Sequence, residues 1–151
     1  IGDQTGSRVR LRHGFVIECT GFETDANGKV IQVNANHFPD SKSGTPGSNN
    51  YKVKGNIHWI SAAEAIPTEV RLYDHLFSDP HPDSGDKNFL DAINPNSKQT
   101  ISAYLEPCMK DVKAEDRFQF ERHGYFVADQ KDSKPGKPVF NRTVGLKDSW
   151  K

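Results

Sequence analysis

The strongest constraint on how this chain folds is its punctuation. Short runs of β-branched and aromatic residues are cut again and again by Gly, Pro, Asn and Asp. Such runs suit a pleated, half-buried surface, and the breaks suit turns. Residues 9–20 read as one strand, 29–35 as its return across Asp25-Ala26-Asn27-Gly28, and 52–60 as a third strand. Asn-Gly is the strongest short hairpin signal, because both residues tolerate a positive φ. Further strands are expected over 68–77, 100–105, 117–121, 125–128 and 139–144. Helix is limited to a turn or two at the capping box Ser61-Ala62-Ala63-Glu64, ended by Pro67, and one turn over 89–93. Residues 38–50, 78–88 and 129–138 read as loops, the first of them mobile. Many short strands with few helices make an all-β chain, an antiparallel barrel or sandwich. A break near 60–61 offers a division into two small barrels, 1–60 and 61–151.

Composition then removes several function classes. Only 34% of the 151 residues are hydrophobic, yet nine Phe, four Tyr and two Trp supply bulk for a core. No run of about 18 apolar residues exists to make a membrane helix. Residues 1–7 lack the charged and apolar regions of a signal peptide. Cys19 and Cys108 are scattered, which fits a reducing, cytoplasmic setting better than a disulfide framework. The 20 basic and 20 acidic residues cancel, so the chain is no general polycation. Any attraction to phosphate must come from a local cluster, since screening acts over about 8 Å. There is no phosphate-binding glycine loop, no H-E-x-x-H and no G-x-S-x-G. The six histidines, at 13, 37, 58, 75, 81 and 123, lack metal-ligand spacing. Neither catalytic residues nor metal ligands are therefore expected in this chain.

The basic residues carry more information. Arg8-Val9-Arg10-Leu11-Arg12 alternates strictly, which on a strand sends Val9 and Leu11 inward and three arginines to the opposite face. Neighbouring like charges repel unless an anion or carboxylates face them. The plain alternative is a solubilised strand paired with Glu or Asp on a neighbour. Lys52-Val53-Lys54 repeats the pattern weakly, and Lys131, Lys134, Lys137 and Arg142 form another basic stretch, a candidate phosphate contact. In Phe118-Gln119-Phe120-Glu121-Arg122, the two Phe fill a core, Gln119 points outward, and Arg122 ends the strand where a turn re-aims it.

Five segments together resemble the C-terminal anticodon-binding region of bacterial-type glutaminyl-tRNA synthetases. They are Val9-Arg10-Leu11-Arg12, Lys52-Val53-Lys54-Gly55-Asn56-Ile57-His58-Trp59-Ile60-Ser61-Ala62-Ala63, Glu69-Val70-Arg71-Leu72-Tyr73-Asp74, Phe118-Gln119-Phe120-Glu121-Arg122-His123-Gly124-Tyr125-Phe126 and Pro138-Val139-Phe140-Asn141-Arg142-Thr143-Val144-Gly145-Leu146. Their order and spacing follow the family, across nearly the whole chain. The resemblance implies two six-stranded β-barrels, a distal one mainly from 1–60 and a proximal one mainly from 61–151. It implies a monomer in the cytoplasm with tRNA(Gln) as partner. The parent reaction would be ATP-dependent attachment of glutamine, with ATP and Mg in a catalytic domain outside this chain and no cofactor held here. In such proteins the anticodon bases are splayed into separate pockets, as is usual for reading single-stranded RNA. Arg10 and Arg12 match the arginines around the first anticodon base, a cytosine. Gln119 and Arg122 match the pair on the central uracil. The family's upstream stretch, which supplies barrel strands and third-base contacts, precedes this sequence, so the proximal barrel is expected to be partly complete.

Two other classes compete. A free-standing β-barrel RNA-binding or ribosome-associated protein would begin at its own initiator Met, which Ile1 is not. A small all-β enzyme or carbohydrate-binding module would show a carboxylate pair in a cleft or an aromatic platform, rather than arginines on an open strand.

Overall fold

The computed structural model describes residues 4–53 and 55–146, so Lys54 of the Lys52-Val53-Lys54 alternation lies outside the described residues. The chain packs as two compact units, Ile1–Trp59 and Ile60–Lys151. Both are built of strands and short 3₁₀ turns. No helix among the described residues is long and apolar enough to cross a membrane.

The first unit holds β1 (Arg8–Leu11), β2 (Val16–Thr24), β3 (Val30–Phe38) and β4 (Asn56–Ile57), ordered β3-β2-β1-β4. The single strand expected over 9–20 is instead a hairpin. His13 adopts φ 57, and Gly14 is buried in a tight place, where a Cβ would lie 3.3 Å from the Leu11 Cβ. Leu11 N–H donates to the Phe15 carbonyl at 2.8 Å and closes the turn. β2 and β3 meet at the expected Asn-Gly turn. There Asp25 Oδ1 accepts from the Asn27 and Lys29 amides at 2.9 Å, and Gly28 takes φ 78. Among the described residues of the strand expected over 52–60, only β4 forms, and it runs parallel to β1.

Residues 38–50 differ from the mobile loop expected. Two 3₁₀ turns, Pro39–Ser41 and Pro46–Asn49, are tied to the sheet. Ser41 is fully buried, its Oγ accepting from the Val16 amide at 2.8 Å and donating to the Phe38 carbonyl at 2.6 Å. Tyr51 O–H donates to Asp40 at 2.7 Å, which pushes the Tyr51 phenol up from its usual range.

The second unit holds β5 (Ile66–Tyr73), β6 (Lys98–Leu105), β7 (Arg117–Phe120), β8 (Gly124–Ala128) and β9 (Val139–Val144), ordered β6-β5-β9-β8-β7. The Ser61 carbonyl accepts from the Glu64 and Ala65 amides and closes one turn there, within the turn or two expected. Phe89–Ala92 forms the single 3₁₀ turn expected there, with the Asn88 side chain accepting from the Leu90 amide. Alternation in β5 sends Val70 inward, where it joins Leu105, Phe126, Ala128 and Phe140. The ring of Phe140 is fully buried and packs edge-on against Phe118 at 5.9 Å and Phe120 at 5.1 Å.

Neither sheet closes into a barrel among the described residues, and neither is purely antiparallel. β1 runs parallel to β4, and β5 parallel to β9. The two six-stranded barrels expected are thus open mixed sheets of four and five strands. The edge strand β3, which reads Val-Ile-Gln-Val-Asn-Ala-Asn-His-Phe, is exposed along nearly its whole length and leaves Ile31 and Val33 in solvent.

Candidate nucleic-acid interface

In the first unit the three arginines part company. Arg8 pairs across the ladder with Glu18 and lies over the Phe38 ring, 4.9 Å from its centroid. This is the plain reading of a strand arginine, met by a carboxylate on its neighbour. Arg10 points the other way to its apolar neighbours and spends its guanidinium on backbone. Its Nη1 donates to the Ser41 carbonyl and its Nη2 to the Ser48 carbonyl, each at 2.6 Å. Planar forks suit such two-point contacts. Arg12 lies past the end of β1, in the turn, with its amide donating to the Ile57 carbonyl at 2.9 Å. Trp59, half exposed, donates from Nε1 to the Arg12 carbonyl at 3.0 Å, and its ring edge lies where a Cβ on Gly14 would meet it at 3.5 Å. The backbone that carries Arg12 is thereby fixed from both sides.

In the second unit β7 and β8 form a tight hairpin. Phe118 and Phe120 face the core while Gln119, between them, is exposed. The loop has three residues, 121–123. The His123 amide donates to the Phe120 carbonyl at 2.9 Å, and Arg122 at the loop's centre takes φ 66. That left-handed residue re-aims the chain, and Gly124 completes the turn at φ 133. No other residue fits there, since a Cβ would lie 2.4 Å from the Val144 carbonyl oxygen. On the outer face of the sheet, Arg117, Gln119, Tyr125, Val127 and Thr143 wall an open groove of about 520 Å³. Arg122 is not in that wall; it stands in the loop just beyond.

On the same outward face, in the row that pairs Arg71 with Asn141 and Asn141 with Val127, a charge network joins β5 and β9 to the 129–132 turn. Arg71 donates to Glu69 at 2.7 Å, to Asp132 at 2.7 Å and to Asp129 at 3.4 Å, and the Glu69 contact first, then the Asp132 contact, raise its already high pKa. Asp129 also accepts from Asn141 Nδ2 at 2.7 Å and from the Asp132 and Lys131 amides. Asn141 first, then those amides and the Arg71 charge, hold the Asp129 carboxyl down at about 2. Lys131, Lys134 and Lys137 are exposed on the loop this carboxylate organises. Among the described residues no three His, Cys, Asp or Glu gather as a metal site.

Alternation alone placed Gln119 outward. Tyr125 was not legible as its partner, because that depends on the register pairing Gln119 with Tyr125. The roles of Trp59 and Asp129 rest likewise on contacts distant in sequence.

The family described as "tRNA synthetases class I (E and Q), anti-codon binding domain" matches residues 56–129. A glutamine–tRNA ligase of Polynucleobacter necessarius subsp. necessarius (strain STIR1) is 90% identical over all 151 residues. That of Polynucleobacter asymbioticus is 88% identical over the same span, and that of Bordetella pertussis 58% identical over 145 residues, 96% of this chain. The chain spans about a quarter of the length of these relatives, 26%, 26% and 24% respectively.

Proposed function

We propose that this chain, similar over residues 56–129 to the anticodon-binding domain of class I glutamyl- and glutaminyl-tRNA synthetases and along its whole length to part of glutamine–tRNA ligases, belongs to that family and reads the anticodon of tRNA(Gln). It does so as part of a monomeric, cytoplasmic glutamine–tRNA ligase. The parent enzyme attaches glutamine to tRNA at the expense of ATP. ATP and Mg are bound by a catalytic domain beyond this sequence. The units Ile1–Trp59 and Ile60–Lys151 correspond to mainly distal and mainly proximal anticodon-binding modules.

The observation that carries this reading is the β7–β8 hairpin. An outward amide at Gln119 and a loop guanidinium at Arg122, three residues on, stand beside an open groove. An unpaired uracil offers two carbonyl acceptors and one N–H donor. The Gln119 amide donates to one carbonyl and accepts from the N–H, while Arg122 donates to the other carbonyl. Cytosine places an amino donor where uracil has a carbonyl and would face a donor there. Arg12 contacts the first base, and Arg10 holds the adjoining loop in place beside it. The exposed lysines 131, 134 and 137 supply phosphate attraction.

The test is aminoacylation by the full-length ligase carrying Gln119→Ala or Arg122→Ala. A lost two-point base contact is worth about 1–3 kcal/mol, so kcat/KM for tRNA(Gln) should fall by roughly 5- to 150-fold. For tRNA already altered at the central base, the same substitutions should cost little. Equal losses on both tRNAs would refute base reading at these residues.

A further inference from the structure

Tyr125 is a large aromatic residue that the core does not use. Its neighbours on β8, Gly124 and Phe126, are buried, whereas Tyr125 is 46% exposed. The core already has its rings in Phe118, Phe120, Phe126 and Phe140, packed against one another on the opposite face. Register sets Tyr125 directly across the ladder from Gln119. Paired side chains on one face of an antiparallel ladder stand about 4.5–5.5 Å apart at Cβ. That spacing puts a flat π surface and a hydrogen-bonding amide side by side in one groove. Arg117 stands at its other end, two residues before Gln119 on the same outward face.

A pyrimidine has two recognisable parts, a π face and a polar edge. An amide alone holds the edge poorly in water, where the solvent competes for the same hydrogen bonds. A stacked ring beside it removes water from one face and fixes the plane in which the edge is presented. We propose that Tyr125 is the stacking platform for the unpaired base whose edge Gln119 reads, and so sets affinity at that position where Gln119 sets identity. This deepens the reading above and rests on it.

The test uses the whole chain, at fixed salt, with two anticodon stem-loop RNAs. One has uracil at the central anticodon position, and the other has an abasic nucleotide there. Tyr125→Phe keeps the ring, and Tyr125→Leu keeps apolar bulk without the π face. Tyr125 being solvent-facing, urea midpoints of both variants close to that of the unaltered chain will show that the fold is kept. Loss of one base stack weakens binding by roughly 5- to 150-fold. Tyr125→Leu should show such a loss on the uracil loop and almost none on the abasic loop, while Tyr125→Phe stays within about threefold of the unaltered chain. The proposal is overturned if Tyr125→Leu binds the uracil loop as well as the unaltered chain, or loses equally on both loops. If Gln119→Ala nonetheless abolishes the uracil preference, only the platform fails. If the unaltered chain binds both loops alike, the reading of the hairpin itself fails, and the platform with it.

Discussion

Replacing Arg10 by Met separates two roles that a strand arginine can have. Met keeps the apolar stem but cannot donate to the Ser41 and Ser48 carbonyls, which Arg10 holds at 2.6 Å. Hydrogen bonds from a charged donor contribute about 1.5–3 kcal/mol each, so a pair in a fully buried site would be worth ~3–6 kcal/mol. The Ser48 region is only partly buried, and freed carbonyls there recover water, which leaves a net loss of roughly 2–3 kcal/mol. The loop retains Tyr51–Asp40 and the Ser43 amide on the Gly14 carbonyl, so it loosens rather than departs. The sensitive reporter is the Val16 amide, whose partner is the buried Ser41 hydroxyl. Each time 38–50 lifts, that amide is exposed. Its hydrogen exchange should quicken by about 30- to 160-fold, the population change that 2–3 kcal/mol produces. If exchange at Val16 stays within about threefold of the unaltered chain while first-base preference disappears, Arg10 is a base reader and the clamp argument is wrong.

Other substitutions test the supports of the site. Gly124→Ala must relieve a 2.4 Å approach to the Val144 carbonyl at φ 133. Strain at a positive φ costs about 1–3 kcal/mol before that clash is added, so the urea midpoint should fall markedly, and an unchanged midpoint would contradict the hairpin geometry. Trp59→Phe removes the indole donor on the Arg12 carbonyl. With Trp59 half exposed, the loss is about 0.5–1 kcal/mol, seen as a roughly two- to fivefold drop in first-base preference in binding assays. Asp129 has its pKa lowered from 3.8 to about 2 on folding. A depressed carboxylate stabilises above its unfolded pKa, and the contribution disappears as pH falls from near 3.8 through 2. The full shift is worth ~2 kcal/mol, and discounting for solvent screening leaves about 1 kcal/mol. Urea unfolding compared at about pH 5 and about pH 2 should show this loss, and Asp129→Asn should shrink it by that amount.

How far the sequence disclosed this arrangement depended on whether the cause was local. Alternation marked β7, β8 and β9 closely, and found β5 while overrunning its end at Tyr73, because each has one face on the Phe140 core. The same reasoning turned Gln119 outward. Continuous β-branched character across 9–20 concealed a turn, since Phe15 and Val16 resume the strand pattern straight after His13-Gly14. The 38–50 segment looked mobile from its Pro, Ser and Gly content. The groups that fix it, Val16 and Arg10, lie 25 and 38 residues from their partners Ser41 and Ser48. Parallel pairing of β1 with β4 and β5 with β9 has no local signature either. A resemblance supplied Arg12 and Arg122 where residue patterns could say only that both are basic and near turns. It could not show that Arg10 holds two carbonyls, or that Tyr125 faces the same groove as Gln119.

Binding of this chain to a tRNA(Gln) anticodon stem-loop tests the central claim most directly. It should be measured at fixed salt, because phosphate contacts alone move RNA affinity greatly. The loop with its native anticodon is compared with loops altered at the first or central base. Anticodon reading predicts that each alteration weakens binding, that Arg12→Ala flattens the first-base preference, and that Gln119→Ala flattens the central one. Equal affinity for all three loops, unchanged by either substitution, would contradict it.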